Sequence, residues 1–180
     1  MAQYHQYISV PHSSYDEWKN ATLFNSYDVD NFPAYQPFQC WDYCALLYWQ
    51  YGLLLITKAG GGTAADCWNV SKNANSKTPF TAIEGAQNIK KGDMLVWNTS
   101  VILPDGHIGF ADEDYNGTNT IRVLGQNQQG IGYVNLHNYS LTGYLGAFRN
   151  SKWQNTPKPS KNTKWKKGFP FAVAWHNWGY

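Results

Sequence analysis

The segment from Cys40 to Tyr51 constrains the fold more than any other part of the chain. Its residues are mostly apolar, no proline interrupts them, and Gly52 follows where a helix would end. Because apolar residues lie on nearly every side of such a helix, it cannot rest on a surface exposed to water. The sequence therefore predicts a buried, central helix against which the rest of the chain packs.

Further helix signals lie on both sides of this segment, and strand signals begin near residue 94. Ser14 and Glu17 have the spacing of a capping box, and a further helical stretch runs from about Thr63 to Asn73. Strand-like segments separated by Gly, Asn and Asp follow near 94–98, 107–112, 119–126, 131–136 and 143–149. This order predicts an α+β fold, with N-terminal helices packed on a C-terminal antiparallel sheet.

Charge and composition divide the chain near residue 150. Residues 1–150 carry all twelve acidic residues and eight basic ones, whereas residues 151–180 carry six lysines and no acidic residue. We therefore predict a body over 1–150 and a basic, Trp-rich tail over 151–180. The tail has no accompanying nucleic-acid-binding motif, so we expect no nucleic-acid partner.

Several sequence patterns are missing, and their absence argues against a membrane-embedded, disulfide-linked or zinc-binding chain and against a signal peptide. No apolar run approaches the roughly 18 residues that span a bilayer, so we expect no membrane insertion. The first residues lack the basic start and apolar run of a secretory signal, so we expect no signal peptide. The three cysteines cannot all pair with one another, and their spacing does not match a zinc site.

Cys40 is the candidate nucleophile, because it stands at the predicted start of the buried helix. A helix N-terminus presents unpaired N–H groups and the positive end of the helix dipole, which stabilise a thiolate. The alternative is that Cys40 packs as a small apolar residue, which is our interpretation of Cys44 and Cys67. The candidate base is His107, which has glycines on both sides at the start of an apolar strand; alternatively, it is a structural histidine.

Four short motifs follow one another over about residues 14–149: Gln39-Cys40-Trp-Asp42, Gly92-Asp-Met-Leu-Val-Trp97, Gly106-His-Ile-Gly109 and Gly125-Gln-Asn127. Together they resemble the CHAP family, the cysteine- and histidine-dependent amidohydrolases/peptidases of phage endolysins and bacterial wall hydrolases. The resemblance implies a papain-like α+β fold and cleavage of amide bonds in peptidoglycan. It implies Cys40 as nucleophile, His107 as base and Asn127 as the amide that orients the histidine.

One position departs from the family pattern. Many members have a glutamate two residues before the asparagine, where this chain has Gly125. Residues two apart on a strand face the same side, so the missing carboxylate would have faced the site. Asn127 is therefore expected to orient the ring, aided by Gln126 or water. The backbone N–H of Cys40 and the side chain of Gln39 are candidates to bind the oxyanion.

Calcium is a further implication of the resemblance, as a structural ion that the chemistry itself does not require. Some relatives hold the ion in the loop before the cysteine, where Asp28, Asp30 and Asp42 offer hard oxygen ligands. The alternative is that Asp28 and Asp30 bond amides of the turn.

The sequence thus predicts a phage lysin-like hydrolase whose partner is peptidoglycan and which acts as an amidase or endopeptidase. We expect it to be made in the host cytoplasm and to act at the wall, or to be carried in the virion. The tail either binds teichoic acid through its lysines and rings or docks on the body. Two alternatives remain: a catalytically weak wall-binding or virion-structural protein with the same fold, and a cytosolic thiol amidase.

Overall fold

The computed structural model describes residues 9–29, 38–55, 62–73 and 79–154. Within these ranges the helices are α1 (Tyr15–Thr22), α2 (Cys40–Gln50), α3 (Ala64–Ser71) and α4 (Ser151–Gln154). The strands are β1 (Phe80–Ile83), β2 (Met94–Trp97), β3 (His107–Ala111), β4 (Thr120–Gly125), β5 (Asn135–Ser140) and β6 (Tyr144–Asn150). A short 3₁₀ helix lies between β1 and β2, at Ala86–Asn88. No described helix has the length and apolar character needed to cross a membrane.

The six strands form one sheet in the order β1-β6-β2-β3-β4-β5, and every neighbouring pair is antiparallel. The predicted α+β class is therefore confirmed. The helix boundaries also follow the sequence signals. The Ser14 hydroxyl accepts from the Glu17 N–H at 3.2 Å and begins α1. After α2, Gly52 has a φ of 69°, in the left-handed region that glycine tolerates at a helix end.

Two strands differ from the sequence prediction. β1 was not anticipated; it pairs with β6 at the edge of the sheet. β5 begins at Asn135 rather than near 131, because the chain leaves β4 through a compact turn. In that turn Asn127 and Gln129 have φ values of 55° and 54°, and Gln128 forms an isolated bridge with Ile131.

The helices lie on one face of the sheet, with α2 against β3 and β4 and α3 against β2 and β6. Side chains alternate along each strand, so Val96 and Phe110 join the core beneath the helices. Leu95 and Trp97 belong to a second cluster on the other face. Apolar residues thus cover both faces of the central strands, as their continuous burial requires.

The core also includes the last described helix. Trp153 is 5% exposed, and its ring centroid lies 6.2 Å from that of Trp18 and 5.7 Å from that of Phe110. Its indole N–H donates to the His12 carbonyl at 2.6 Å. The packed body therefore continues through α4, past the predicted boundary at residue 150. The rest of the predicted tail, 155–180, lies outside the described residues.

Candidate active site

The candidate site forms where β3 and β4 separate. β3 pairs with β2 from His107 to Phe110, but with β4 only at Phe110 and Ala111. The two strands still approach closely at Gly109, where an added Cβ would lie 2.7 Å from Val123 Cγ1. Beyond that point the first residues of β3 leave the ladder with β4, and the start of α2 lies against them.

Cys40 is the first residue of α2, and the carboxylate of Asp42 holds this end of the helix through two hydrogen bonds. The Gln39 N–H donates to Asp42 Oδ2 at 2.7 Å, which satisfies an amide at the helix start. The other oxygen of Asp42 accepts from the Val29 N–H at 3.1 Å. Asp42 thus ties the residue before the sulfur to the preceding loop.

The Cys40 thiol is protonated at neutral pH. Burial raises its pKa to about 11, although the backbone N–H groups of Ile108, Trp41 and Cys40 itself favour the thiolate. The direction is opposite to the one that the helix N-terminus alone predicts, because desolvation of the sulfur outweighs the helix dipole. The interaction with Ile108 places the sulfur beside the start of β3, one residue from His107.

The His107 imidazole is 3% exposed and lies among aromatic rings. Tyr139 stacks on it with centroids 4.5 Å apart, and the Trp97 centroid is 6.2 Å away. Burial and, to a smaller extent, the charge of His137 lower the pKa of His107 to about 3, and the Gln128 side chain opposes the shift. Burial raises the pKa of Tyr139, and the Cys40 sulfur, once ionised, would raise it further. The sulfur therefore lies near the phenol ring that stacks on His107.

Three of the predicted residues are joined through their amides. The Asn127 side-chain N–H donates to Gln39 Oε1 at 2.9 Å. The side-chain N–H groups of Gln126 donate to the Tyr27 and Gln39 carbonyls at 2.7 and 3.0 Å, and its oxygen accepts from the Tyr27 N–H at 2.7 Å. These contacts place Asn127 and Gln126 against the residue that precedes Cys40. Gln128, which the sequence did not single out, also lies near the His107 ring, and its side chain opposes the lowering of the His107 pKa.

Residues 27–127, more than half of the chain, match the family model of the CHAP domain. The chain belongs to the CHAP family. The matched span includes the start of α2, the start of β3 and the end of β4, which are the three segments that meet at the site. No curated protein matches the chain.

Solved structures resemble this CHAP fold at low sequence identity. The wild-type endolysin LysIME-EF1 is 21% identical, with a TM-score of 0.56 over 77% of this chain and 64% of that one. Ly7917 is 15% identical, with a TM-score of 0.52 over 80% and 63%. An N-acetylmuramoyl-L-alanine amidase from Staphylococcus aureus is 17% identical, with a TM-score of 0.40 over 73% and 39%. The chain therefore spans slightly less than two thirds of the first two proteins.

The predicted calcium ligands of this CHAP domain are only partly described. Asp28 is buried, and both oxygens of Asp42 already accept backbone N–H groups. Asp30 lies outside the described residues. Among the residues that are described, no three His, Cys, Asp or Glu side chains cluster as a metal site. The described residues alone do not fit a calcium site, and the ion stays a prediction.

Proposed function

We propose that this CHAP domain hydrolyses an amide bond of peptidoglycan, as a phage lysin does, with Cys40 as nucleophile and His107 as base. The observation that carries the proposal is the position of the Cys40 sulfur, at a helix start and against the backbone of the residue next to His107. Family membership and the likeness to the LysIME-EF1 endolysin fold support the choice of substrate.

The first half of the reaction acylates the enzyme. Sulfur and imidazole are both neutral at rest, so the ring takes the thiol proton as Sγ attacks the carbonyl carbon. The carbonyl oxygen becomes an oxyanion, which the Cys40 backbone N–H and the Gln39 side chain bind. The imidazolium then gives its proton to the amine as the C–N bond breaks, leaving a thioester and a neutral ring.

The second half regenerates the thiol. The neutral imidazole takes a proton from water while the oxygen attacks the thioester carbonyl. The C–S bond then breaks, the sulfur leaves, and the ring returns the proton to it. The products are a carboxylic acid and an amine, and every proton has passed through the same histidine.

The experiment is a turbidity assay on purified cell walls with three matched variants. We expect Cys40→Ser and His107→Ala to lower the clearing rate by roughly 10³-fold or more, with unchanged folding by circular dichroism. Cys44→Ala is the control, because Cys44 is fully buried one turn deeper in the same helix. Full activity of the Cys40 or His107 variant would refute the proposal.

Two further assays separate the related functions. Mass spectrometry of the released fragments assigns the cut to the sugar–peptide amide, as for an amidase, or to a peptide bond. A parallel assay measures the hydrolysis of small peptide amides by the same protein. Turnover of these without clearing of walls would indicate a thiol amidase, and binding to walls without turnover would indicate a wall-binding protein.

A further inference from the structure

Two buried polar atoms, one in the His107 ring and one in a neighbouring side chain, are the subject of this inference. His107 Nε2 and Gln128 Oε1 both lack a hydrogen-bond partner in the described part of the chain. Both nonetheless lie 3.3 Å from the position that a Cβ on Gly125 would occupy. Both atoms therefore border the same space beside Gly125, and the Gln128 side chain favours the protonated ring, as an acceptor oxygen does.

The orientation of the Gln128 carboxamide is determined by its nitrogen. Nε2 donates to the Asn135 carbonyl at 2.6 Å and to the Gly125 carbonyl at 3.1 Å. It also lies 3.1 Å from Asn135 Oδ1 and 3.3 Å from the Val123 carbonyl. Because all four neighbours of Nε2 are acceptors, exchanging the amide nitrogen and oxygen would place oxygen against oxygen. The carboxamide is therefore fixed with its oxygen on the side of His107.

Gly125 leaves the space that this arrangement needs. A Cβ at this position would approach Gln128 Cδ to 3.1 Å and His107 Nε2 to 3.3 Å. A longer side chain at position 125 would therefore compete with Gln128 for the same space. In this chain the acceptor near the ring is therefore Gln128, in the turn after β4, and not the side chain of residue 125, which is the last residue of β4.

We propose that Gln128 is the positioning residue for the catalytic histidine, accepting the N–H of His107 Nε2 through its side-chain oxygen. This assignment rests on the proposed function, because it gives His107 a catalytic task. Since Nε2 carries the ring proton, Nδ1 keeps its lone pair and is the atom that removes the thiol proton. A carboxamide has no charge, so it fixes the tautomer and leaves the resting ring neutral.

Nitrogen NMR of the full chain labelled at histidine tests the tautomer directly. In the wild-type protein we expect His107 to carry its proton on Nε2, with slow exchange of that proton against water. Gln128→Met keeps the length of the side chain and removes the acceptor, so the spectrum should change to a mixture of tautomers. Gln129→Met is the matched control, because Gln129 is exposed one residue away and contacts His137 instead. A proton on Nδ1 in the wild-type protein would overturn the assignment even if Gln128→Met fails to fold.

Kinetics on the same variants separate this proposal from the general one. We expect Gln128→Met to lower kcat by roughly 10²-fold at unchanged KM, whereas Gln129→Met stays near wild type. An inactive His107→Ala variant beside a fully active Gln128→Met variant would refute the role of Gln128 alone. An active His107→Ala variant would refute the proposed function itself.

Discussion

Tyr139 lies flat against His107, with ring centroids 4.5 Å apart and only 11° between the ring planes. The stack restricts rotation of the imidazole about its side-chain bonds, and it keeps one face of the ring away from water. A hydrogen bond at one ring atom would still permit tilting, so the stack and the Gln128 contact constrain different motions.

The stack predicts different results for two substitutions of Tyr139. Tyr139→Phe keeps the aromatic face, so we expect activity near that of the wild type. Tyr139→Leu removes it, and because such pairs contribute about 0.5–1.5 kcal/mol, kcat should fall by roughly two- to tenfold. Turbidity assays check both, with melting temperatures as the control for folding. Equal activity of the two variants would show that the stack does not position the ring.

The sequence could single out Cys40 and His107 as the candidate reactive residues because their signals are local. Cys40 follows a proline-bearing loop at the start of an apolar helix, and the glycines around His107 mark a strand that packs closely against its neighbour. Such patterns depend on a few adjacent residues. They can therefore be recognised in the sequence without knowing how the rest of the chain packs around them.

The sequence could not assign the glutamines and the asparagine after β4 to their partners. Which of these amides reaches the ring depends on the backbone of the turn, where Asn127 and Gln129 adopt positive φ. That turn directs Asn127 towards Gln39 and places Gln128 beside His107. The direction of the Cys40 pKa shift was equally inaccessible, because it depends on burial by distant segments.

The raised pKa of Cys40 predicts a pH-dependent alkylation. At neutral pH little thiolate is present, so iodoacetamide should react slowly, and the rate should rise about tenfold per pH unit until it levels near pH 11. Cys44 and Cys67 are fully buried, whereas Cys40 is partly exposed, so mass spectrometry of the native protein should find the label on Cys40. Cys40→Ser is the control. A rate already level at pH 7 would mean that the thiol has a low pKa and starts as a thiolate.

Trp153 determines where the tail can be removed. A deletion from residue 151 takes away a buried indole, whereas a deletion after Gln154 keeps it. Loss of a buried tryptophan costs about 3–5 kcal/mol, so Trp153→Ala should lower the melting temperature clearly. The chain ending at Gln154 should melt near the full chain if 155–180 bind teichoic acid. Aggregation of this shorter chain would instead favour docking of the tail on the body.

A second measurement on the shortened chain tests the teichoic-acid prediction. Walls that retain teichoic acid should bind the full chain more tightly than the chain ending at Gln154. Because the attraction is between lysines and phosphates, the difference should shrink as salt rises. Equal binding of the two chains at low salt would contradict this role for residues 155–180.

The calcium prediction is tested by chelation. If the ion binds the loop before Cys40, EDTA should lower the melting temperature, and added calcium, but not magnesium, should restore it. Asp30→Asn should reproduce the loss without EDTA if Asp30 is a ligand. A substitution of Asp42 would be a poorer test, because it would also remove the two N–H contacts that its carboxylate accepts. Glu84→Gln, an exposed acidic residue, is the matched control. An unchanged melting temperature in EDTA would remove calcium from the description of this domain.

The hydrogen bond between Asn127 and Gln39 predicts how two substitutions combine. If the Gln39 side chain binds the oxyanion, Gln39→Ala should lower kcat by roughly 10²-fold or more. Asn127→Gly tolerates the φ of 55° and removes the amide that holds Gln39, so it should lower kcat by less. Because Asn127 would then act only through Gln39, the double variant should be no worse than Gln39→Ala alone.

The opposite outcome has an equally clear meaning. If Asn127 orients His107 directly, as the family resemblance implies, the losses in kcat should multiply in the double variant. Asn127→Gly should then also change the tautomer of the His107 ring in nitrogen NMR, which loss of an oxyanion contact would leave unchanged. If the losses in kcat multiply and the tautomer changes, Asn127 is the residue that orients His107. Gln128 would then serve only to hold the turn after β4.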